Sequence, residues 1–145
     1  MSDTYKDIVV LYHTHCFDGL GAAWAARKKF GSTATYLPML EREEYPVGII
    51  DKELYILDFS FSQQVTNELV AKNKRVVIID HHKSAESVVR SIQEHVFSDQ
   101  KSGALLAWEY FHKNDEVPLL IAYISDSDIW GHKLPAWKEI ENYIH

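Results

Sequence analysis

The stretch "VVIIDHHKS", residues 76–84, ends an apolar run with one aspartate and two histidines. Four successive β-branched residues are typical of a strand that is buried on both faces, as in a parallel sheet. Burial alone gives no reason to end such a strand in Asp80, His81 and His82. The stretch therefore predicts a buried parallel strand that delivers polar side chains to its carboxyl end.

Length and composition set the class of protein. The chain has 145 residues, which predicts one domain, 1–145. Its 46% hydrophobic and 25% charged residues are typical of a globular protein. The net charge of −6 argues against a protein that binds duplex nucleic acid, because phosphate contacts need clustered Lys and Arg. A small anionic substrate held by metal ions is still compatible with this charge.

The sequence also bears on location. A single cysteine, Cys16, excludes an internal disulfide and favours a reducing compartment. The first residues have neither the basic region nor the long apolar region of a signal peptide. No apolar run approaches the roughly 20 residues that a membrane span requires. We expect a cytoplasmic protein without a membrane partner.

Short apolar runs alternate with helical periods along the chain. Strands are predicted at 7–13, 33–39, 53–61, 75–82 and 96–99, an exposed connection at 40–50, and helices at 18–31, 62–74, 84–95, 102–114, 118–130 and 135–144. Ser62 and Ser84 are the predicted N-caps of two of these helices. The alternation predicts an α/β fold: one doubly wound, mostly parallel sheet with helices on both faces, in a single domain.

Three predicted strands bring acidic or imidazole side chains to one edge of the sheet. The first ends in His13 with Asp18 just beyond, the next ends near Asp58, and the third ends in residues 80–82. Ligands of such sheets bind beyond the carboxyl ends of the strands. Converging carboxylates repel one another unless a cation lies between them, and carboxylates with neutral imidazoles are usual ligands of Mn²⁺. A two-metal site for phosphoryl chemistry is the resulting hypothesis, although each residue taken singly is more often a cap or turn former.

Four motifs in order resemble those of the DHH phosphoesterase superfamily. They are "YHTHCFDGLGAAWAA" at 12–26, "YILDFSF" at 55–61, "IIDHHKS" at 78–84 and "YISDSDIW" at 123–130, and "KSGALLAWEYF" at 101–111 resembles the helix between the last two. The resemblance covers roughly residues 8–132. Members of the superfamily include single-strand exonucleases, nano-RNases, cyclic-dinucleotide phosphodiesterases and manganese pyrophosphatases.

The resemblance implies an enzyme that uses two Mn²⁺ ions, or alternatively Mg²⁺ or Co²⁺. It would hydrolyse phosphodiester or phosphomonoester bonds of a short single-stranded oligonucleotide, a nucleotide or a similar small phosphate ester, through a metal-bound hydroxide. His82 and Asp80 would form the catalytic pair, with His82 beside the scissile phosphate and Asp80 orienting the site. Carried over by position, the metal ligands are His13, Asp18, Asp58 as the bridging ligand, His81 and Asp126.

Some positions leave alternatives open. Cys16 stands where many members have the first aspartate of an Asp-x-Asp, so it is either an additional ligand or a small buried residue. His15 is an additional candidate for which a role other than ligand is favoured. Asp128 could replace Asp126, because both are expected in a loop after a helix.

The chain ends soon after the fourth motif, where typical members continue into a companion domain that holds the substrate. The expectation is that a second copy of the chain or a partner protein supplies the missing wall. A catalytically weak module that binds a nucleotide or a protein is the alternative function. A purely structural role is the least favoured of the three functions. Trp108, Tyr110 and Phe111 are expected in the core. The two tryptophans of residues 129–137 are also expected to close the core, and stacking on a base of a single strand is the alternative.

Overall fold

The computed structural model describes residues 4–40 and 44–128, and within them five strands form one sheet. The strands are β1 (Ile8–His13), β2 (Ala34–Met39), β3 (Glu53–Leu57), β4 (Arg75–Asp80) and β5 (Glu94–Phe97). Their order in the sheet is β2-β1-β3-β4-β5, and every neighbouring pair is parallel. The predicted α/β class with a parallel sheet is confirmed.

Five helices cover the two faces of this sheet. They are α1 (Phe17–Phe30), α2 (Gln63–Lys72), α3 (Glu86–Arg90), α4 (Gly103–Phe111) and α5 (Leu119–Asp128), with short 3-10 turns at Gly31–Thr33 and Lys83–Ala85. Buried side chains of α1, α4 and α5 join one apolar cluster, and those of α2 and α3 join the other. Successive strand residues alternate between the clusters, with Val77 in the first and Ile78 in the second. This alternation places one cluster on each face of a doubly wound sheet.

Membrane-spanning helices were not expected from the sequence. The longest described helix, α1, has 14 residues, whereas crossing a bilayer takes roughly 20. No helix of residues 4–40 or 44–128 is both long enough and apolar enough to cross a membrane.

Two predicted boundaries are wrong for identifiable reasons. The helix predicted at 84–95 is much shorter: Ser84 lies in a 3-10 turn, and α3 begins after Ala85 without a side-chain cap. The end of the predicted helix is instead strand β5, because Glu94 and the residues after it pair with β4 from Val77 onward. The strand predicted at 53–61 ends at Leu57, because the backbone leaves the extended region at the next residue.

Other predictions hold or lie outside the described residues. The hydroxyl of Ser62 accepts a hydrogen bond from the backbone N–H of Val65, which confirms the predicted N-cap of α2. Trp108 and Phe111 are buried in the core as expected, and Tyr110 packs against it. The connection at 40–50 is not wholly exposed, because Ile49 is buried. The helix predicted at 135–144 and the tryptophans of 129–137 fall outside the described residues.

The order of the strands reverses beside β1, which has β2 on one side and β3 to β5 on the other. The crevice outside the carboxyl ends of the strands at such a reversal is where doubly wound sheets bind ligands. The carboxyl ends of β1, β3 and β4 meet at this crevice, and they carry His13, Asp58 and residues 80–82. The topology therefore gathers the polar strand ends at one place.

Candidate metal centre

Asp58 lies at the middle of the site directly after β3, and its environment is unusual for a carboxylate. Its backbone is left-handed, with φ 65°, and its side chain is 1% exposed. The backbone N–H still donates to the carbonyl of Ile79 at 2.9 Å, which holds the residue against β4. The Oδ1 atom is buried and accepts no well-aligned hydrogen bond from the described part of the chain. A buried carboxylate oxygen in this condition is costly unless a cation or another ligand satisfies it.

Two imidazoles flank Asp58. Nδ1 of His13 lies 3.7 Å from Oδ2 of Asp58, and Nε2 of His81 lies 3.1 Å from its Oδ1. Burial acts to raise the pKa of Asp58, but the imidazoles of His13 and His81 outweigh it and hold the pKa well below the usual range. Burial acts to lower the pKa of His81, but the neighbouring carboxylates raise it to about 10. In the metal-free centre, a proton on His81 therefore holds the carboxylates together.

Asp18 reaches the site from the first turn of α1. Its carboxylate accepts hydrogen bonds from the backbone N–H groups of Gly103 at 3.0 Å and Ala104 at 2.7 Å, which form the N-terminus of α4. Its Oδ2 also lies 3.2 Å from Nε2 of His81. Burial raises the pKa of Asp18 to about 6, against the effect of His81. The positive end of the α4 dipole helps to hold the carboxylate in place.

Gly103 is a site residue that the sequence motifs did not single out. A Cβ at this position would lie 2.4 Å from Oδ1 of Asp58, so only glycine lets α4 approach the carboxylate. Ser102 immediately before it caps α4 by accepting from the N–H of Leu105. The Ser-Gly pair in "KSGALLAW" is the signal that could have pointed to a helix start with close backbone approach.

Asp80 positions His82. The Asp80 side chain is fully buried, and its Oδ1 lies 2.7 Å from Nδ1 of His82 and accepts from the N–H of His81 at 2.8 Å. Its Oδ2 accepts from the hydroxyl of Ser60 at 2.8 Å. The hydrogen bond from Asp80 raises the pKa of His82. Since Nδ1 is engaged, the nitrogen of His82 that remains for a substrate is Nε2. Ser60 was not identified from the sequence, although it stands two residues after Asp58.

Three groups of potential ligands result, each with its ligand atoms within 4.8 Å of one another. They are Asp58, Asp80, His81 and His82; His13, Cys16 and Asp58; and Asp18, His81 and Asp128. Asp58 belongs to two groups, which suits a bridging ligand. Carboxylate oxygens and imidazole nitrogens are a donor set for Mn²⁺ and related divalent cations, and the unsatisfied Oδ1 of Asp58 leaves an acceptor for one. The residues present therefore fit a divalent metal centre.

The fourth motif offered Asp126 and Asp128 as alternative ligands. Both residues lie in the last turns of helix α5 and not in a loop. Residues two apart on a helix face different sides. Oδ2 of Asp128 lies 3.7 Å from Nδ1 of His81, whereas Asp126 is in none of the groups found among the described residues. Burial raises the pKa of Asp128.

Cys16 and His15 differ sharply. His15 is exposed and left-handed, with φ 62°, and the described ligand groups do not include it. The Sγ atom of Cys16 lies 3.3 Å from Nδ1 of His13 and donates a hydrogen bond to Oδ2 of Asp58 at 3.4 Å. Burial raises the pKa of the Cys16 thiol to about 12. Cys16 therefore lies against His13 and Asp58.

A small cavity adjoins the centre. Its volume is about 180 Å³, and His13, Asp58 and His82 line it together with Ser60 and Ser84. The described lining includes no Lys or Arg. Sites for whole drug-sized ligands measure about 300–1,000 Å³. The cavity among the described residues is therefore smaller than a typical site for a whole drug-sized ligand.

No family model matches this chain. The uncharacterized protein R106 of Acanthamoeba polyphaga mimivirus is 29% identical over 154 residues, which cover 94% of this chain and 37% of the viral protein. The crystal structure of an uncharacterized protein from Helicobacter pylori G27 has a TM-score of 0.67 at 15% identity, over 88% of this chain and 45% of that chain. This second likeness shows the fold alone. The chain thus spans less than half the length of either similar protein, and neither name states an activity.

Proposed function

We propose that the protein is a metal-dependent phosphoesterase. Its substrate class is a short single-stranded oligonucleotide, a nucleotide or a similar small phosphate ester, and it hydrolyses a phosphodiester or phosphomonoester bond. The observation that carries the proposal is the buried carboxylate of Asp58, which two imidazoles flank where the strand order reverses. The sequence resemblance to DHH phosphoesterases supports the same reaction class.

The residues suggest two cation positions on either side of Asp58, which belongs to the first group and lies 3.1 Å from His81 of the second. The first position uses His13 and Cys16, and the second uses Asp18, His81 and Asp128. When bound, divalent cations such as Mn²⁺, Mg²⁺ or Co²⁺ lower the pKa of water and stabilise negative charge on phosphoryl oxygens. The proposed cofactor is a pair of Mn²⁺ ions.

His82 acts on the substrate and not on the metal in this proposal. Asp80 fixes its Nδ1 at 2.7 Å, and the His82 side chain is 46% exposed. This arrangement leaves Nε2 facing a substrate, where it can hydrogen-bond the scissile phosphate or give a proton to its leaving oxygen. Asp80 has the supporting role of orienting the ring.

The cavity limits how much of the substrate the described residues hold. Its volume of about 180 Å³ suits the phosphoryl group, with the remainder of the ester outside. Its described lining contains no Lys or Arg. The basic side chains that bind the rest of a substrate would therefore come from other segments of the polypeptide or from a partner. A cytoplasmic location suits the single free thiol of Cys16.

A binding module is the second candidate function, and Cys16 favours it. A thiol with its pKa raised to about 12 is a poor ligand for Mn²⁺ until it loses its proton. If the first cation position stays empty, the centre would bind a nucleotide or phosphate ester through one metal without turnover.

The test compares Asp58→Ala with a matched control, Asp51→Ala. Both aspartates are left-handed, with φ 65° and 58°, but Asp51 is exposed and outside the site. Titration calorimetry of metal-stripped protein should give two Mn²⁺ ions per chain in the wild type and in Asp51→Ala, and loss of binding in Asp58→Ala. Hydrolysis of a chromogenic phosphodiester should likewise be retained in the wild type and in Asp51→Ala and lost in Asp58→Ala.

The outcomes separate the candidates. Turnover in Asp58→Ala equal to that of the wild type would refute the assignment of the site. Binding of a nucleotide without turnover under any divalent metal would replace the enzyme by the binding module. Circular dichroism of both variants establishes that the fold is intact before either conclusion is drawn.

A further inference from the structure

The thiol of Cys16 is held in a fixed direction by the start of α1. Cys16 is the N-cap residue of this helix, with an extended backbone of φ −142° and ψ 147°. Its Sγ accepts a hydrogen bond from the backbone N–H of Gly19 at 3.2 Å. An N–H donor at a helix N-terminus stabilises a thiolate, because the dipole places partial positive charge there. The N–H of Gly19 therefore favours a thiolate, against the burial and the carboxylates of Asp58 and Asp18 that raise the pKa of the Cys16 thiol.

A sulfur, a nitrogen and an oxygen atom that can each bind a metal ion converge at this point. Sγ of Cys16 lies 3.3 Å from Nδ1 of His13 and 3.4 Å from Oδ2 of Asp58. The thiol hydrogen lies between sulfur and carboxylate. A divalent cation in place of that hydrogen would turn the repulsion between a thiolate and a carboxylate into two attractive contacts.

Asp58 contributes a buried carboxylate to this position. Its side chain is 1% exposed, and its Oδ1 receives no well-aligned hydrogen bond from residues 4–40 and 44–128. The basic groups beside it are imidazoles, which are themselves metal ligands. Its Oδ2 faces Cys16 and His13, and its Oδ1 faces His81, so a cation on either side would contact a carboxylate oxygen that is shielded from water.

We infer that Cys16 is a metal ligand and makes the His13–Cys16–Asp58 position selective for a thiophilic divalent cation, Zn²⁺ or Co²⁺, over Mn²⁺ and Mg²⁺. Soft thiolate donors favour Zn²⁺, whereas carboxylate oxygens suit Mn²⁺ and Mg²⁺. This inference deepens the proposed function and rests on the metal centre that it assumes. It changes the identity of one of the two cations.

The second cation position has a different chemistry. Asp18 and Asp128 supply carboxylates beside the imidazole of His81, and no sulfur is within the group. This position keeps the preference for Mn²⁺ or Mg²⁺. The centre therefore combines one sulfur-containing and one oxygen-rich position on either side of Asp58.

Cobalt is the direct probe of a bound thiolate. Titration of metal-stripped protein with Co²⁺ should produce a sulfur-to-cobalt charge-transfer band in the near ultraviolet. Cys16→Ser and Cys16→Asp should both bind without this band. Serine and aspartate are good N-cap residues, so both variants retain the start of α1.

Metal preference gives the second readout. The affinity ratio of Zn²⁺ to Mn²⁺, measured by competition, should fall about tenfold or more in Cys16→Asp, the scale on which changes around a metal ligand act. Alkylation gives a third readout, because Cys16 is the single cysteine of the chain and one mass shift reports it. Zn²⁺ should slow the alkylation of Cys16, and Mg²⁺ should not.

The failures of this inference and of the proposed function are distinguishable. Bound Co²⁺ without a charge-transfer band, or an unchanged Zn²⁺ to Mn²⁺ ratio in Cys16→Asp, overturns the role of Cys16 even if the protein hydrolyses phosphate esters. A band that disappears in Cys16→Ser supports that role even if no phosphate ester is hydrolysed. Enzymatic turnover is measured separately on the same metal-loaded samples.

Discussion

At the scale of single residues, the site combines backbone strain with unsatisfied polarity. Three described non-glycine residues have a left-handed backbone, His15, Asp51 and Asp58, and only Asp58 is buried. A left-handed aspartate costs on the order of 1–3 kcal/mol, and such residues cluster at functional sites. The packing around β3 and β4 maintains this conformation. As a result, the carboxylate of Asp58 lies between His13 and His81.

Ser60 is predicted to stabilise the buried carboxylate of Asp80. Its hydroxyl donates at 2.8 Å to a side chain that is fully buried. A hydrogen bond to a charged group contributes about 1.5–3 kcal/mol, so Ser60→Ala should lower the free energy of unfolding by that order in urea denaturation of the metal-free protein.

Ser84 is the matched control for Ser60. It lines the same cavity, but it is exposed. Ser84→Ala should change the free energy of unfolding by less than about 0.5 kcal/mol. Equal losses in the two variants would mean that the hydrogen bond to Asp80 is not what Ser60 contributes.

At the scale of elements, α1 and β1 approach unusually closely. A Cβ at Gly19 would lie 1.9 Å from the carbonyl oxygen of His13, which is backbone and cannot rotate away. The close approach lets Asp18 reach the N-terminus of α4. The glycine is therefore part of the construction of the site, although it binds no ligand.

Gly19→Ala is predicted to destabilise the protein. Glycine to alanine inside a helix ordinarily stabilises by about 1 kcal/mol, but here overpacking against backbone should reverse the sign and cost about 1–3 kcal/mol or more. The variant should also weaken Mn²⁺ binding, because α1 has to move and carry Asp18 with it. Thermal unfolding and titration calorimetry measure the two effects.

Gly31→Ala at the other end of α1 controls for the loss of glycine. Gly31 has φ 56°, and a Cβ there would meet no atom within 4 Å. Its backbone, with φ 56° and ψ −131°, lies in a region that side chains disfavour, so its replacement should cost about 1–3 kcal/mol and leave metal binding unchanged. Weaker metal binding in both variants would show that general destabilisation is the cause.

At the scale of the whole molecule, the metal-free centre ties stability to pH. The carboxylates of Asp18 and Asp58 outweigh burial and raise the pKa of His81 from its ordinary 6.5 to about 10. A group whose pKa is higher in the folded state stabilises the fold fully below its unfolded pKa. That contribution is lost as the pH rises through the folded pKa. The stabilisation by His81 is therefore present below about pH 6.5 and declines toward pH 10.

The free energy of unfolding of the metal-free protein is predicted to fall between pH 6.5 and 9. His81→Asn should remove much of this slope in urea denaturation at a series of pH values. His82, whose pKa Asp80 also raises, contributes to the slope in both proteins, so the difference between the two isolates His81. The Cys16 thiol begins to contribute only near its ordinary pKa of 9.0, which sets the upper limit of the window. An identical slope in both proteins would contradict the ion pair between His81 and the carboxylates.

Much of the fold was predictable from the sequence, and the two boundaries that were wrong depend on tertiary structure. The helix predicted at 84–95 follows local pattern, but residues 94–97 became β5 because β4 offered an edge to pair with. The sequence alone does not distinguish Asp126 from Asp128, because both are aspartates of the same motif. The packing of α5 brings Oδ2 of Asp128 within 3.7 Å of His81.

The sequence by itself determined the α/β class, the parallel strands and the polar residues at their ends, because β-branched runs, helix caps and chain order are local properties. Only the tertiary structure decided that Ser60 supports Asp80 and that Gly103 admits α4 against Asp58. It also brought Cys16, His13 and Asp58 to one point. These relations join residues far apart in the chain, and their distances depend on how helices pack on the twisted sheet, which no local pattern encodes.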